Sequence, residues 1–432
     1  MGSYLDLTRL LFARLGMFLF NPVAGGLLLA VLWLVWAQYR RTAAVEAHLY
    51  GAPKNAPLRL LGDSLVHGVL AGATVSLAGL WAGVVVIQPE AGTPAWLLLW
   101  PVALALGLLH PRFLCFSYAT TLIGVSSLLF GWPRVDIPSL AALVGLLHLA
   151  EALLIWTGGA GAATPVTLRN RSGEVVGAFQ LQRFWPVPLV LPVGVLMSSL
   201  PPDAAPLHLP SWWPLIQPDP ALAPSTATLA LDLVPIVVAM GYSDLAVTAL
   251  PPARARRSAG WLAVYSLVLL GLAALASRSR VLLWAAALFA GLGHEYLAVG
   301  MARRELRGAP AFTRPWRGVG VLDVLPGSPA ALAGLRTGDV ILQVSGRPVS
   351  SRADLEQAVA ESPAWFWLTF RQGQEVETRR IPRPPTGLDG LGLILIPEAG
   401  DQPLVNPVPG RLARLAGAAG RWWRGRRDRG AA

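Results

Sequence analysis

The chain has 432 residues, of which 54% are hydrophobic and only 14% are charged, and its formal net charge is +11. This composition excludes a soluble globular protein of this length, because many apolar runs are long enough to cross a bilayer. The single cysteine, Cys115, lies in an apolar run. One cysteine excludes a disulfide framework and predicts neither a cysteine-based metal site nor a cofactor. We therefore expect a polytopic membrane protein.

Residues 1–302 are expected to form a helical membrane domain with eight or nine transmembrane spans, the count depending on how the shortest runs are treated. The nine predicted spans are Phe18–Trp36, Leu65–Ile87, Trp96–Leu109, Phe113–Phe130, Ile137–Trp156, Val187–Leu200, Ala227–Leu250, Trp261–Ala276 and Val281–Val299. Between the fifth and sixth spans, residues 158–185 alternate polar and apolar side chains around a turn. This pattern predicts a small β-hairpin outside the membrane.

Basic residues predict the orientation. One alternate set of loops, which contains Arg40, Arg41 and the arginines of 254–257, holds most of the loop arginines. By the positive-inside rule these loops are cytoplasmic. The segment after the last span falls on the same side, so we expect a C-terminal domain on the cytoplasmic face of the cell membrane.

Residues 311–399 have the pattern of a PDZ domain with an α+β fold. A β run at Val319–Val324 leads into a Pro-Gly turn, and Ser328 is followed by a proline at the first helical position, as at many helix starts. A Gly338-Asp339 turn then precedes the apolar strand Val340–Val344. The stretch VLPGSPAALAGLRTGDVI resembles the PDZ domains of bacterial membrane proteins and proteases position by position. This resemblance implies peptide recognition.

The second half of this domain carries the predicted peptide-binding groove. Ser351 and Asp354 form a capping box for a helix ending near Ala360, and the strands Trp365–Arg371 and Glu375–Ile381 follow.

Leu391-Gly392-Leu393 and the apolar strand after it resemble the loop whose backbone N–H groups hold a peptide C-terminus. Bacterial PDZ domains are often circularly permuted, which would place this strand last; an ordinary edge strand is the alternative. The groove would lie between this strand and the helix bearing Leu355 and Val359.

Ionisable side chains within the predicted spans are a second candidate site, because charges in a membrane are costly and usually face the bundle interior or a cavity. His148 and Glu151 are three residues apart and share a helix face, and Asp244 lies close to an arginine loop with which it can pair. One interpretation is interhelical polar contact. The other is a proton or substrate path, hence a transporter. The candidate intramembrane residues are His148, Glu151, Asp244, His294 and Glu295.

The segment His294-Glu295-Tyr296-Leu297-Ala298 falls short of a zinc-protease motif. That motif needs a second histidine four residues after the first, and the chain has Ala298 there. We therefore expect no catalytic residues and a protein that is not an enzyme. An inactive-protease-like regulator of membrane proteolysis stays open beside the transporter.

The tail 400–432 is rich in arginine and tryptophan. Its sequence Arg421-Trp422-Trp423-Arg424 is typical of segments that bind anionic lipid head groups. A disordered solubilising tail is the alternative. Nucleic-acid binding is not expected, because no fold signal supports it.

The membrane segments carry a further resemblance. The motifs are Phe18–Pro22, LLHLAEALLIW at Leu146–Trp156, VVGAFQLQRFWPVPL at Val175–Leu189, GYSDLAVT at Gly241–Thr248, and His294-Glu295. Together with the PDZ pattern they are similar to the MinJ-type division-site proteins of Gram-positive bacteria. The resemblance implies a non-enzymatic membrane scaffold, placed at septum or pole, that links a DivIVA-like scaffold to a MinD-like ATPase.

Overall fold

The computed structural model describes residues 2–89, 94–170, 172–197, 209–219, 222 and 228–404. Its helices are α1 (Gly2–Gly16), α2 (Pro22–Tyr50), α3 (Pro57–Ala82), α4 (Ala95–Leu109), α5 (Phe116–Phe130), α6 (Ile137–Gly158), α7 (Pro251–Ala276), α8 (Arg280–Arg307), α9 (Pro329–Leu332) and α10 (Arg352–Ala360). Its strands are β1 (Val86–Pro89), β2 (Thr164–Arg169), β3 (Val175–Met197), β4 (Thr228–Ala246), β5 (Val319–Val324), β6 (Val340–Val344), β7 (Arg347–Pro348), β8 (Trp365–Gln372), β9 (Glu375–Pro382) and β10 (Leu393–Leu395).

Elements α1–α8 and β1–β4 form a helical domain. Helices α2, α3, α6, α7 and α8 are long and apolar enough to cross a membrane, and α4 and α5 are shorter apolar helices. Helix α6 is central: 72% of its apolar stretch is buried within the protein, against 28% for α2 and α8. Each of these seven helices overlaps one of the predicted spans.

The predictions for the sixth and seventh spans are wrong, because the structure places these segments on strands. Val187–Leu200 falls largely on β3 and Ala227–Leu250 largely on β4, and the two strands pair antiparallel from Phe179 opposite Ala246 to Met197 opposite Thr228. An apolar run reads alike as a buried strand or a buried helix. The count of eight or nine helical spans is therefore not supported.

Strand β3 runs alongside α3 for most of the helix. Successive contacts join Asp63 to Arg183, Gly68 to Pro186, Gly72 to Pro188 and Ser76 to Val190. The approach is close enough to require glycine, because a Cβ atom would lie 2.0 Å from the Pro186 carbonyl oxygen at Gly68 and 1.9 Å from that of Pro188 at Gly72. The paired strands β3 and β4, called here the β3–β4 hairpin, are thus part of the helical bundle. Strand β3 packs directly on α3, one of the predicted spans.

The edge of β3 that faces α2 and α3 has almost no free donors. Along this edge the alternate residues are Phe184, Pro186, Pro188, Val190 and Pro192. The prolines have no N–H. The N–H of Phe184 donates to the Tyr39 hydroxyl at 3.2 Å, and the N–H of Val190 donates to Ser76 Oγ at 2.8 Å. In an apolar bundle no water accepts hydrogen bonds from a strand edge, so each backbone N–H on that edge needs a partner within the protein.

The C-terminal domain comprises α9, α10 and a sheet of order β10-β5-β6-β8-β9, with β7 paired to β6. Its predicted caps are present: Ser328 Oγ accepts the N–H of Ala331 at 3.2 Å, and Ser351 and Asp354 form the capping box. The domain has a hydrophobic core of its own, centred on residues such as Phe366 and Phe370. The predicted elements of this region are confirmed.

The C-terminal domain docks on the helical domain. Phe312 packs against Phe179, and the Gly177 N–H donates to the Phe312 carbonyl at 3.0 Å. On β5, Asp323 accepts a hydrogen bond from the Tyr50 hydroxyl and forms a 2.5 Å ion pair with Lys54. Both side chains of that pair are largely buried at the contact between the two domains.

Candidate functional site: the edge strand of the C-terminal domain

Strand β10 lies at the edge of its sheet. Leu393 pairs with Val324 and Leu395 with Val321 on β5, and within the described chain β10 pairs with no other strand. Gly392, immediately before it, is left-handed with a φ of 71°. A free strand edge preceded by such a turn is the arrangement that PDZ domains use to add a peptide as a further strand.

The predicted groove residues meet in one cluster. Leu355 and Val359 on α10 and Leu391 in the turn before β10 are fully buried in the domain core, and Leu393 is half-buried against them. These three side chains have no exposed surface. Beside them on β10, Leu393 and Ile394 are partly exposed, so Leu393 is the predicted contact side chain that remains accessible.

The two faces of β10 have different neighbours. Leu395 packs into the domain core, whereas Ile394 and Ile396 pack against the helical domain. After the strand, the chain crosses to the start of α10, where the Arg352 N–H donates to Glu398 Oε1 at 2.7 Å. The edge is thereby held beside the helical bundle. Sequence reasoning missed these contacts, since they join distant segments without a motif.

Two carboxylates of the C-terminal domain have shifted pKa values. Hydrogen bonds, led by that of the Ser350 hydroxyl at 2.8 Å, lower the pKa of Asp354 at the start of α10. Burial raises the pKa of Asp339, although the Arg336 N–H and the Gln372 side chain donate to its carboxylate. Asp354 caps the start of α10, and Asp339 holds the turn before β6.

The candidate residue Asp244 lies on β4 and not in a helix. It accepts from Arg254 Nη2 at 2.9 Å, the pairing expected from sequence, and from Ser258 Oγ at 2.7 Å. Arg254 also donates to Glu305, which accepts the backbone N–H of Val247 at 2.8 Å. Glu305 was not predicted. This buried network ties β4, α7 and α8 together.

Glu295 is likewise engaged. Its carboxylate accepts from the Tyr118 hydroxyl at 2.7 Å and pairs with Arg112 at 3.2 Å. His148 and Glu151 lie on one face of α6 with 4.0 Å between His148 Nε2 and Glu151 Oε2. These contacts favour the structural interpretation of the intramembrane residues.

His148 and His294 meet at a residue that the sequence reasoning left aside. Cys115, at the start of α5, has its Sγ atom 3.3 Å from His148 Nε2 and 3.8 Å from His294 Nε2. No spacing motif could reveal this group, because its members lie on three separate helical segments. The predicted lipid-binding residues Arg421, Trp422, Trp423 and Arg424 lie outside the described residues.

Comparison with known proteins identifies the C-terminal domain as a PDZ domain. The PDZ domain family matches residues 320–371. The chain is also 28% identical over 269 residues to the probable cell division topological determinant MinJ of Lacticaseibacillus paracasei, covering 60% of this chain and 66% of that protein. It is 25% identical over 236 residues to MinJ of Bacillus subtilis, covering 54% of each. The resemblance to MinJ-type proteins is confirmed.

The chain spans just under two thirds of the Lacticaseibacillus MinJ and about half of the Bacillus one. A shorter match, 44% identical over 63 residues, joins it to the periplasmic serine endoprotease DegP of Escherichia coli, with 14% of this chain and 13% of DegP covered. So short a match carries no inference about proteolysis. The MinJ relatives are named as determinants of cell division and not as enzymes.

Proposed function

We propose that this chain is a non-enzymatic membrane scaffold that positions cell-division proteins through its PDZ groove. The observation that carries the proposal is the free edge of β10 in a PDZ domain attached to a MinJ-like helical domain. In this scheme residues 1–302 form the membrane domain, residues 311–399 the PDZ module and residues 400–432 a tail that binds anionic lipids.

Recognition would follow from the geometry of the groove. A peptide adds as a strand to the free edge of β10, with its terminal carboxylate at the left-handed turn of Gly392 that precedes the strand. The last peptide side chain packs on Leu393, which keeps accessible surface beside the buried Leu355 and Val359. An apolar C-terminal residue fits this lining best, because it replaces water on an apolar surface.

Docking of the two domains would place a bound partner at the membrane. Asp323 on β5, the strand paired with β10, is fixed to Lys54 and Tyr50 of the helical domain. Removal of two adjacent predicted spans leaves the alternation of the other loops unchanged, so the cytoplasmic placement of the PDZ domain stays part of the proposal. By resemblance, the partners are a DivIVA-like scaffold and a MinD-like ATPase at the septum or pole.

The transporter and protease-regulator alternatives are not favoured. Asp244 and Glu295 are neutralised by arginines and hydrogen bonds within the protein, which suits a structural role better than a transport path. The relatives named as division determinants favour the scaffold.

The test is the position of a fluorescent fusion of the full chain in dividing cells. Leu393→Arg introduces a charge at the half-buried groove strand, and Val376→Arg introduces the same charge at an exposed position on β9, at the opposite edge of the sheet. We expect septal or polar foci for the unaltered chain and Val376→Arg, and dispersed membrane fluorescence for Leu393→Arg at equal protein level. Uniform fluorescence of the unaltered chain, or foci that survive Leu393→Arg, would contradict the proposal.

A further inference from the structure

The geometry points to a zinc site within the helical domain, formed by Cys115, His148 and His294. One ligand atom from each of the three lies within 4.8 Å of the other two. Cys115 is the residue before α5, His148 lies in the middle of α6, and His294 lies in the middle of α8. The ion would join three helices at one point. This inference does not depend on the proposed scaffold function.

Both imidazoles are oriented as metal ligands are. His148 Nδ1 lies 2.8 Å from the Val144 carbonyl oxygen, which can only accept, so this nitrogen carries the proton. The Tyr118 hydroxyl donates to Glu295, and His294 Nδ1, at 3.3 Å, therefore donates to Tyr118.

The Nε2 atoms of His148 and His294 are consequently unprotonated, and both lie close to the sulfur of Cys115. A ligating histidine typically donates its other ring N–H to a carbonyl or another acceptor, which fixes the ring for the metal. Both rings show this arrangement in the structure.

The separations fit tetrahedral zinc. With Zn–S of about 2.3 Å, Zn–N of about 2.0 Å and a tetrahedral angle, sulfur and nitrogen lie about 3.5 Å apart. The observed distances from Cys115 Sγ to the two Nε2 atoms are 3.3 and 3.8 Å, on either side of that value. The two sulfur–nitrogen separations thus already have the spacing that tetrahedral zinc requires.

Without a cation, the cluster has fewer hydrogen-bond donors than acceptors. Ser117 Oγ lies 3.3 Å from His148 Nε2 and 3.1 Å from the Tyr265 oxygen, and the Tyr265 proton is used by the Ala290 carbonyl. The Cys115 thiol and the Ser117 hydroxyl therefore supply two protons for three acceptors: the two Nε2 atoms and the Tyr265 oxygen. A zinc ion that binds the thiolate and both ring nitrogens removes this shortage. Ser117 then donates to Tyr265.

Charge selects the ion and suggests a fourth ligand. Glu151 Oε2 lies 4.0 Å from His148 Nε2, beside the cluster. Zn²⁺ with one thiolate and one carboxylate is neutral overall, which lowers the cost of a charge in an apolar bundle. Sulfur and imidazole ligands favour zinc over magnesium and calcium, which prefer oxygen. Binding releases the thiol proton to solvent.

The site is expected to be structural. Glu295, the neighbour of His294, is held by Arg112 and Tyr118 and is not free to act as a general base on a zinc-bound water. A closed set of Cys, two His and Glu leaves no open coordination position for substrate.

The first experiment measures metal content and cobalt spectra on the purified full-length chain in detergent. We expect about one zinc per chain, and on exchange with Co²⁺ a thiolate-to-cobalt charge-transfer band with tetrahedral d–d bands. Cys115→Ser should abolish the charge-transfer band, and His148→Gln should lower zinc retention at least tenfold. The exposed His48, changed to Gln, is the matched control and should leave both unchanged. Absence of zinc and of the cobalt bands, or retention of copper alone, would overturn the assignment.

The second experiment uses the fact that Cys115 is the single cysteine. A maleimide reagent therefore reports on this thiol alone, in folded protein and without substitutions. We expect a zinc chelator to raise the labelling rate at least tenfold and added Zn²⁺ to restore protection. In His294→Gln, labelling should be fast without chelator while the thermal transition remains cooperative. Labelling that responds to neither chelator nor Zn²⁺ would refute the site even if the substitutions unfold the protein.

Discussion

The C-terminal PDZ domain and the β3–β4 hairpin are specified by their sequences in different ways. In the PDZ domain each turn and cap has a local residue for it, such as Ser328 before Pro329, and the predicted elements are found where the sequence indicated them. For the β3–β4 hairpin, the sequence predicted two transmembrane helices where the structure has strands. The difference teaches that end signals determine an element more reliably than apolar content does.

In the hairpin, the deciding information lies in the pattern of prolines and in the partner helix. Pro186, Pro188 and Pro192 remove donors from the stretch of the β3 edge that lies between its pairings with β2 and β1 and faces α3. Gly68 and Gly72 on α3 allow that edge to approach the helix. Neither feature has a visible purpose until the two segments are placed side by side.

The strongest test of the hairpin's anchoring is Arg254→Ala. This change leaves the carboxylates of Asp244 on β4 and Glu305 on α8 without their buried counter-ion. We expect the free energy of unfolding to fall by about 3–5 kcal/mol, the usual effect of breaking a buried ion pair. The measurement is thermal unfolding in detergent. Arg257→Ala, at an exposed position on the same helix, is the control and should have little effect; equal losses in both variants would argue against the network.

Gly72→Ala tests the contact between α3 and β3. The new Cβ would lie 1.9 Å from the Pro188 carbonyl oxygen, so helix and strand must separate. A loss of about 3 kcal/mol is expected from such overpacking. Gly62→Ala is matched, because Gly62 is on the same helix with nothing within 4 Å of its added Cβ. It should be neutral or stabilising, since alanine favours helix. A neutral Gly72→Ala would show that the two segments do not pack this closely.

In the PDZ domain, Ser351→Ala should have a smaller and local effect. The change removes the side-chain acceptor for the Asp354 N–H and half of the capping box. A cost of about 1 kcal/mol is typical and corresponds to roughly fivefold faster amide hydrogen exchange in α10. Glu356→Ala, exposed on the same helix, is the control. If faster exchange extended to the helical domain, the cap would not be a local device.

The smallest expected effect is the pH dependence of this cap. Hydrogen bonds lower the pKa of Asp354 below its ordinary value. Its contribution is therefore fully present above the unfolded pKa of about 3.9 and is lost as pH falls through the folded pKa. The difference in α10 exchange between the unaltered chain and Asp354→Asn should shrink below about pH 4. A difference that persisted unchanged at pH 3 would mean that ionisation of Asp354 is unimportant.

The candidate sites divide in the same way. Leu391-Gly392-Leu393 could be predicted as a turn before an edge strand, because its motif is continuous in the sequence; its role as a groove loop stays a prediction. The cluster of Cys115, His148 and His294 could not be predicted. His148 and His294 were singled out as costly polar residues, but Cys115 reads as one more apolar position, and only helix packing brings its sulfur to their nitrogens.

The sequence by itself determined the membrane class of the protein, seven apolar helices, the PDZ domain and its caps. These features follow from short-range chemistry: apolar run length, glycine and proline at turns, and hydroxyl side chains at helix ends. Only the tertiary structure decided that two apolar runs are strands, that Glu305 completes a buried ion network, and that three helices share a Cys-His-His cluster. The physical reason is that a strand edge, a buried charge and a candidate metal ligand find their partners in distant segments of the chain. No local sequence pattern identifies those partners.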